Sequence, residues 1–152
     1  AKIARSLQMN VMVYDPYLSV DRIESLDAEK SSLEEVLKLS DFVSLHLPIM
    51  SSTQNIIDSK KLKLMKKTSY LINAARGGLI NENDLYKTLS KKNIAGAALD
   101  VFENEPPDEN HPLFNLDNVI LSPHNAALTI ECRKRMAVES AENIAFFLLD
   151  NK

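Results

Sequence analysis

The sequence predicts an α/β fold built on a doubly wound parallel sheet. Short apolar runs alternate with amphipathic stretches along the chain, at the spacing expected for βα units. Most of these runs are apolar at consecutive positions, which is typical of strands in a parallel sheet covered by helices on both faces. The chain has 152 residues, 45% of them hydrophobic and 26% charged, which suits one globular domain with a sizeable core.

Five apolar runs are predicted as β-strands. They are VMVY (11–14), FVSLHL (42–47), YLIN (70–73), AGAALD (95–100) and VILS (119–122). Residues 103–118 are rich in proline and asparagine, so we expect them to form a loop over the edge of the sheet.

Helices should fill the segments between the strands. Ser32 and Glu35 have the spacing of a capping box ahead of VLKL, and Ser59 can cap KKLKLM. Residues 82–92 should be helical. A long amphipathic helix should close the chain, because its last segment places four apolar residues on one stripe: Ala137, Ala141, Ile144 and Leu148.

Charge and cysteine content narrow the class of protein. The net charge is −3, with lysines and arginines spread along the chain, which gives no electrostatic reason to expect nucleic acid or an anionic membrane as partner. No apolar run is long enough to span a bilayer, and no signal-peptide pattern precedes the first helix. Cys132 is the only cysteine, so an intrachain disulfide is impossible and we expect a reducing, cytoplasmic setting.

Three polar residues stand after three of the predicted strands. Arg76 follows YLIN, Glu105 follows AGAALD and His124 follows VILS. Residues after the strands of an open parallel sheet gather along its carboxyl edge, where ligands bind. A cation, an acid and an imidazole should therefore share one pocket, a set that suits reduction of a keto acid. Taken singly, a surface ion pair for Arg76 and a proline turn for Glu105 remain ordinary alternatives.

The beginning of the chain suggests part of a nucleotide-binding βαβ unit. AKIARSLQM has the pattern of a helix leading into VMVY and then Asp15. An acidic residue at this point of such a unit takes the ribose hydroxyls, although Asp-Pro also forms ordinary turns. The glycine-rich turn of such a unit is absent, because the only glycines are Gly77, Gly78 and Gly96.

Five motifs in order carry a more specific signal. They are VMVYDP, SLHLP (44–48), LINAARGGLIN (71–81), ALDVFENEPP (98–107) and ILSPHNAALT (120–129). Together they resemble the cofactor-binding domain of the D-isomer-specific 2-hydroxyacid dehydrogenases, which include phosphoglycerate dehydrogenase, hydroxypyruvate or glyoxylate reductase and D-lactate dehydrogenase. The similarity covers essentially the whole chain and implies NAD as cofactor.

The resemblance implies a catalytic role for each of the three polar residues. Arg76 would bind the substrate carboxylate, because a guanidinium presents two parallel donors to it. His124 would give a proton to the carbonyl oxygen as hydride arrives from the dihydronicotinamide. Glu105 would favour the charged form of that imidazole. The implied reaction interconverts a D-2-hydroxy acid and its 2-keto acid.

The same resemblance implies a set of cofactor contacts, and no metal is expected. Asp15 would accept hydrogen bonds from the adenosine ribose and repel a 2′-phosphate, favouring NAD over NADP. His46 would line the cofactor groove or merely cap a strand end, and His111 should be solvated. The full set of expected contacts is Asp15, His46, Leu47, Pro48, Thr53, Ala74, Ala75, Arg76, Asp100, His124, Asn125 and Ala126.

The missing glycine-rich turn has a consequence for the fold. In a Rossmann sheet the first strand lies in the middle, so its absence should leave a gap between the strand ending at Asp15 and the one ending near the neighbours of Arg76. Two unpaired edges should result, which are costly when buried and sticky when exposed. We therefore expect residues 1–152 to be an incomplete dinucleotide-binding domain of a longer enzyme, with its substrate domain outside this chain.

Alternative functions remain open at this point. One is a non-catalytic NAD(H)-sensing or protein-binding module of the same fold, since the C-terminal-binding corepressors resemble the same family. A nucleotide-cofactor methyltransferase is a weaker alternative, because an acidic residue after the second strand suits that ribose too. A homodimer is expected from the resemblance. The substrate stays open, with phosphoglycerate-type acids in a slight lead.

Overall fold

A computed structural model describes residues 1–150 and shows helices packed on parallel strands, which confirms the α/β class. The strands are β1 (Met12–Val13), β2 (Glu29–Lys30), β3 (Phe42–Leu45), β4 (Tyr70–Asn73), β5 (Gly96–Leu99) and β6 (Val119–Leu121). The α-helices are α1 (Lys2–Ser6), α2 (Val20–Glu24), α3 (Leu33–Leu39), α4 (Ser59–Leu62), α5 (Glu82–Ser90) and α6 (Ile130–Asp150).

The strands form two parallel sheets. β1 pairs with β2, and the larger sheet has the order β3-β4-β5-β6. All five predicted strands exist, each within its predicted range but mostly shorter. The strand β2 and the helix α2 were not predicted. For β2 the reason is that Glu29 and Lys30 are both exposed and carry no apolar pattern.

Helix starts follow side-chain capping. Ser32 and Glu35 form the predicted capping box at the start of α3. The prediction that Ser59 caps the next helix was wrong, because Asp58 is the N-cap and its carboxylate accepts bonds from the amides of Lys60 and Lys61. A carboxylate at this position satisfies two amides that have no partner within the helix.

The core lies on one face of the larger sheet. Val43, Leu71 and Leu99 are buried there, together with leucines of α3 and α5. The prediction that helices cover both faces was wrong for the described residues. On the other face, the rings of Phe42 and Tyr70 stack with centroids 5.5 Å apart, yet both stay about half exposed. Ile120 of the same face is 74% exposed. An apolar pattern indicates that a sheet face favours burial, but it does not show whether a helix of the same segment covers that face.

Unpaired strand edges occur, as predicted, but not at the predicted place. Among residues 1–150, β1, β2, β3 and β6 each pair on one side only, whereas β4, which leads to Arg76, is paired on both sides. In the strand order of a Rossmann sheet, the missing strand lies between β1 and β3. The gap therefore adjoins β3 and not the strand before Arg76.

The loop and the last helix follow the predicted layout. Residues 103–118 are irregular apart from a 3₁₀ turn at Pro112–Asn115. The helix α6 is 21 residues long, and many of its apolar side chains are exposed, including Ile144 and Leu148 of the predicted stripe. Among the described residues, no helix combines the length and apolar character needed to cross a bilayer.

Candidate active site

The candidate site lies along the carboxyl edge of β4, β5 and β6. These three strands are adjacent and parallel, with Leu99 opposite both Asn73 and Leu121. The segments that follow them therefore begin side by side. Those segments carry Arg76, Asp100 and His124.

Asp100, the residue directly after β5, holds the segment that follows β6. The residue is 6% exposed, and its Oδ1 accepts bonds from the Ser122 hydroxyl at 2.5 Å and the Asn125 amide at 2.9 Å. Its Oδ2 accepts a bond from the Ala126 amide at 2.9 Å. Burial raises the pKa of Asp100, but these bonds outweigh it and hold the pKa below the ordinary value of 3.8. Asp100 is thus a carboxylate that shapes the loop.

This loop explains an unusual backbone conformation at His124. His124 has φ of 52°, in the left-handed region that costs a residue with a side chain about 1–2 kcal/mol. The next two amides, of Asn125 and Ala126, both point at Asp100. Charge-assisted bonds of this kind offset the strain. The conformation of His124 is therefore fixed by a buried acid.

His124 and Glu105 form a direct pair. His124 Nδ1 lies 2.7 Å from Glu105 Oε2, and the two side chains are 49% and 36% exposed. A carboxylate only accepts hydrogen bonds, so Nδ1 carries the proton and Nε2 is left for another partner. The bond from His124 and a second one from the Phe102 amide at 3.1 Å lower the pKa of Glu105 below 4.5. Glu105 is therefore ionised near neutral pH.

Arg76 lies on a turn braced by a buried amide. The Asn73 side chain is buried, accepts a bond from the Ala75 amide and donates one to the Arg76 carbonyl at 2.9 Å. The exposed guanidinium of Arg76 donates to the Ala75 carbonyl at 2.6 Å. Within residues 1–150, no hydrogen bond joins this guanidinium to Glu105 or His124.

One close backbone contact links the Arg76 turn to the Glu105 loop. A Cβ atom added to Gly77 would lie 1.7 Å from the Phe102 carbonyl oxygen, so only glycine allows this approach. Phe102 also donates its amide to Glu105. The two segments are in van der Waals contact at the point where both candidate groups are anchored.

A cleft of about 440 Å³ adjoins the His124–Glu105 pair. Its lining is mostly apolar and contains no lysine or arginine: Phe102, Glu105, Pro106, Pro107, Phe114, Leu121, Ser122, Pro123 and His124. A small organic molecule is a suitable occupant by size and lining.

The prediction that His111 is solvated was wrong. Its side chain is 16% exposed, its Nε2 bonds Glu82 Oε2 at 3.0 Å, and its ring packs edge-on against Phe102 at 5.6 Å. Glu82 Oε1 in turn accepts the amide of Glu103 at 2.7 Å. Sequence reasoning missed this cluster because its members are about 20 to 30 positions apart.

Comparison with known proteins decides the family. The family model for the D-isomer-specific 2-hydroxyacid dehydrogenase NAD-binding domain matches residues 1–126. The chain belongs to this family.

Individual relatives of this family agree. The chain is 44% identical over 144 residues to D-3-phosphoglycerate dehydrogenase of Methanocaldococcus jannaschii, covering 94% of this chain and 27% of that protein. It is 43% identical over 147 residues to glyoxylate reductase of Aeropyrum pernix, covering 97% and 44%. Among solved structures, the NAD complex of a D-isomer-specific 2-hydroxyacid dehydrogenase from Lactobacillus delbrueckii ssp. bulgaricus matches with a TM-score of 0.84 and 33% identity, covering 95% and 48%. The chain thus spans less than half the length of these relatives.

The cofactor of this family is NAD, and the residues at the edge fit it in part. Asp15 follows β1, is half-buried, and uses Oδ1 to accept the amides of Tyr17 and Leu18. These two bonds form the Asp-Pro turn that the sequence offered as the alternative to a ribose contact. They leave Oδ2 of Asp15 without a hydrogen bond among the described residues. The glycine-rich turn that would hold the pyrophosphate has no counterpart in the 152 residues.

The other expected cofactor contacts differ in exposure. Thr53 is 9% exposed, and its hydroxyl bonds the Pro48 carbonyl at 2.8 Å, so it braces its loop. His46 is exposed and its Nε2 lies 2.9 Å from the Ser44 hydroxyl, after the end of β3. Leu47 and Ala75 are half-buried, and the remaining ones are exposed: Pro48, Ala74, Asn125 and Ala126.

Two braces of the site were missed by sequence reasoning. Asn73 and Ser122 were assigned only to strands, yet their side chains hold the Arg76 turn and Asp100. A polar residue at the last position of an apolar strand was the available signal for Asn73. For Ser122 the signal was the register of β5 and β6. Leu99 pairs with Leu121, so the next residues, Asp100 and Ser122, lie beside each other.

Proposed function

We propose that this chain is the NAD-binding part of an enzyme that interconverts a D-2-hydroxy acid and its 2-keto acid. The observation that carries the proposal is the 2.7 Å bond between His124 Nδ1 and Glu105 Oε2 beside the cleft. An ionised carboxylate on one ring nitrogen leaves the other nitrogen to exchange a proton with a substrate.

In this proposal His124 is the acid and base of the reaction. During reduction Nε2 donates a proton to the substrate oxygen, and during oxidation Nε2 takes it back. Glu105 keeps Nδ1 protonated and stabilises the charged ring. Bound NADH supplies the hydride.

Arg76 is proposed to bind the substrate carboxylate. Its guanidinium is exposed at the end of β4, and one of its donors is used by the Ala75 carbonyl, which leaves others available. Two parallel bonds to a carboxylate would fix the 2-keto acid in one orientation.

For the cofactor, we propose contacts by the residues expected from the sequence. Asp15 would use Oδ2 for the ribose of NAD, since its Oδ1 belongs to the turn. Asp100 Oδ1 already accepts two bonds and Oδ2 only one, so Oδ2 has the capacity to accept one further bond, which we assign to the carboxamide of NAD.

The wider architecture is also a proposal. We infer that residues 1–152 are an incomplete dinucleotide-binding domain of a longer enzyme, supported by the unpaired edges of β1 and β3. A cytoplasmic setting is proposed because Cys132 is the only cysteine of the sequence. A homodimer is supported by exposed apolar side chains on α6. An intact mass near 17.1 kDa for the native protein would contradict the longer chain, and light scattering would test the dimer.

The proposed function is tested by NADH oxidation with the full-length protein. Hydroxypyruvate, phosphohydroxypyruvate, glyoxylate and pyruvate would be compared, and turnover of at least one is expected. The variant His124→Ala should lower kcat by about 10²–10⁴-fold with little change in NADH affinity. Tight NADH binding without turnover of any acid would contradict the enzyme and favour a sensor of NAD(H).

A further inference from the structure

Glu82, the first residue of α5, makes a set of partly buried contacts outside the proposed catalytic residues. Its carboxylate is 14% exposed and holds two donors, the Glu103 amide at 2.7 Å and His111 Nε2 at 3.0 Å. The Glu103 carboxylate accepts the Glu82 amide at 3.2 Å in return. Two segments 21 residues apart are thereby joined by reciprocal bonds.

The peptide held by Glu82 is the one that touches both halves of the candidate site. Its amide belongs to Glu103, and its carbonyl, that of Phe102, is pressed against Gly77. The preceding amide, that of Phe102, donates to Glu105. Consecutive amides thus bind Glu82 and Glu105, and the carbonyl between them faces the turn that carries Arg76.

We propose that Glu82 is a positioning residue, which fixes the Phe102–Glu103 peptide and thereby sets the place of the Glu105–His124 pair relative to Arg76. The inference rests on the proposed function, because it assigns those three groups to one reaction. His111 supports the arrangement, since its ring packs against both Phe102 and Phe114 while its Nε2 bonds the carboxylate.

The test replaces Glu82 by glutamine in the full-length enzyme. The amide keeps the shape but removes the charge. Its NH₂ group must face either the Glu103 amide, which then loses its bond, or His111 Nε2, which can accept it only as the other tautomer, so a charge-assisted bond is replaced by a weaker neutral one. We expect kcat to fall roughly tenfold while the NADH dissociation constant stays unchanged. The matched control is Glu109→Gln, an exposed acid of the same loop, which should retain wild-type kcat.

A pH profile separates positioning from mere stability. The bond from His124 is the main cause that lowers the pKa of Glu105. A displaced Glu105 in Glu82→Gln should bond His124 less well, which raises the pKa of Glu105. The acidic limb of kcat/KM for keto-acid reduction, which requires ionised Glu105, should therefore move to higher pH. Should Glu82→Gln fail to fold, His111→Phe removes only one of the two bonds and should shift the profile in the same direction. His111→Gln restores a donor to Glu82 and should return kcat towards wild type.

The outcomes distinguish this inference from the proposed function. A wild-type enzyme that reduces a keto acid, with Glu82→Gln and His111→Phe changing only the melting temperature, would overturn the positioning role and leave the proposed function standing. A wild-type protein that turns over no 2-keto acid would refute both.

Discussion

The variant Gly77→Ala should displace the peptide on which the site is anchored. The added Cβ atom would lie 1.7 Å from the Phe102 oxygen and 2.4 Å from the Phe102 carbon. Real Cβ atoms essentially never come closer than 3.0 Å, so the Phe102–Glu103 peptide must retreat by at least about 1.3 Å. Gly77 does not have positive φ, so the clash and not backbone strain is the expected cause.

The size of the effect follows from that displacement. Forcing a methyl group into a packed site typically costs about 1–3 kcal/mol, so the urea midpoint should fall by roughly 1 M. A misplacement near 1 Å in an active site can cost about 10²-fold in rate, and kcat should fall by that order. Both quantities would be measured on the full-length enzyme, by urea unfolding and by NADH oxidation at a temperature where the variant is folded.

A second glycine provides a matched control. A Cβ atom at Gly96, the first residue of β5, would lie 2.7 Å from the Asn118 oxygen, far along the strand from the carboxyl edge. Gly96→Ala should therefore lower stability without changing kcat per folded molecule. Wild-type stability and kcat in Gly77→Ala, or an equal loss of kcat in Gly96→Ala, would contradict the expected displacement of the Phe102–Glu103 peptide.

Three further substitutions test separate parts of the account. Arg76→Lys should raise the KM for the keto acid about tenfold or more, because lysine cannot give two parallel bonds; unchanged kinetics would remove Arg76 from the site. Asp15→Ala should relax the preference for NADH over NADPH, and an unaltered ratio would disprove its ribose contact. Asp100→Asn should destabilise the protein by about 1–3 kcal/mol at pH 7, because its NH₂ group would face a backbone amide. Because folding lowers the pKa of Asp100, the stability that its carboxylate contributes is present above pH 3.8 and is lost as pH falls through the folded-state pKa. In urea unfolding, the difference in stability between wild type and Asp100→Asn should therefore be smaller at pH 3 than at pH 7.

The parts of the fold that repeat a local pattern could be predicted from the sequence. Val43, Leu71 and Leu99 lie in apolar runs, and these runs became the three strands that the core covers. The strand β2 could not be predicted in this way, because its two residues are polar and exposed and are held by pairing with β1. Its pairing depends on the rest of the fold and not on its own residues.

The site was predictable as far as sheet topology determines it. Arg76 and His124 follow strands of one parallel sheet, so both were expected at its carboxyl edge. The pairing of His124 with Glu105 depended on the family resemblance, and the structure places the two side chains 2.7 Å apart. The contacts that position these residues were not predictable. The Glu82 side chain meets the Glu103 amide only because the folded chain brings the two residues together, and no spacing in the sequence encodes that contact.

The proposed catalytic arrangement is tested most sharply by a crystal structure of the full-length enzyme with NADH and oxamate, an unreactive analogue of a 2-keto acid. Arg76 should bond the oxamate carboxylate at about 2.7–2.9 Å, and His124 Nε2 should lie about 2.6–3.2 Å from the neighbouring oxygen. Oxamate bound where either side chain is out of reach would contradict the proposed roles of Arg76 and His124.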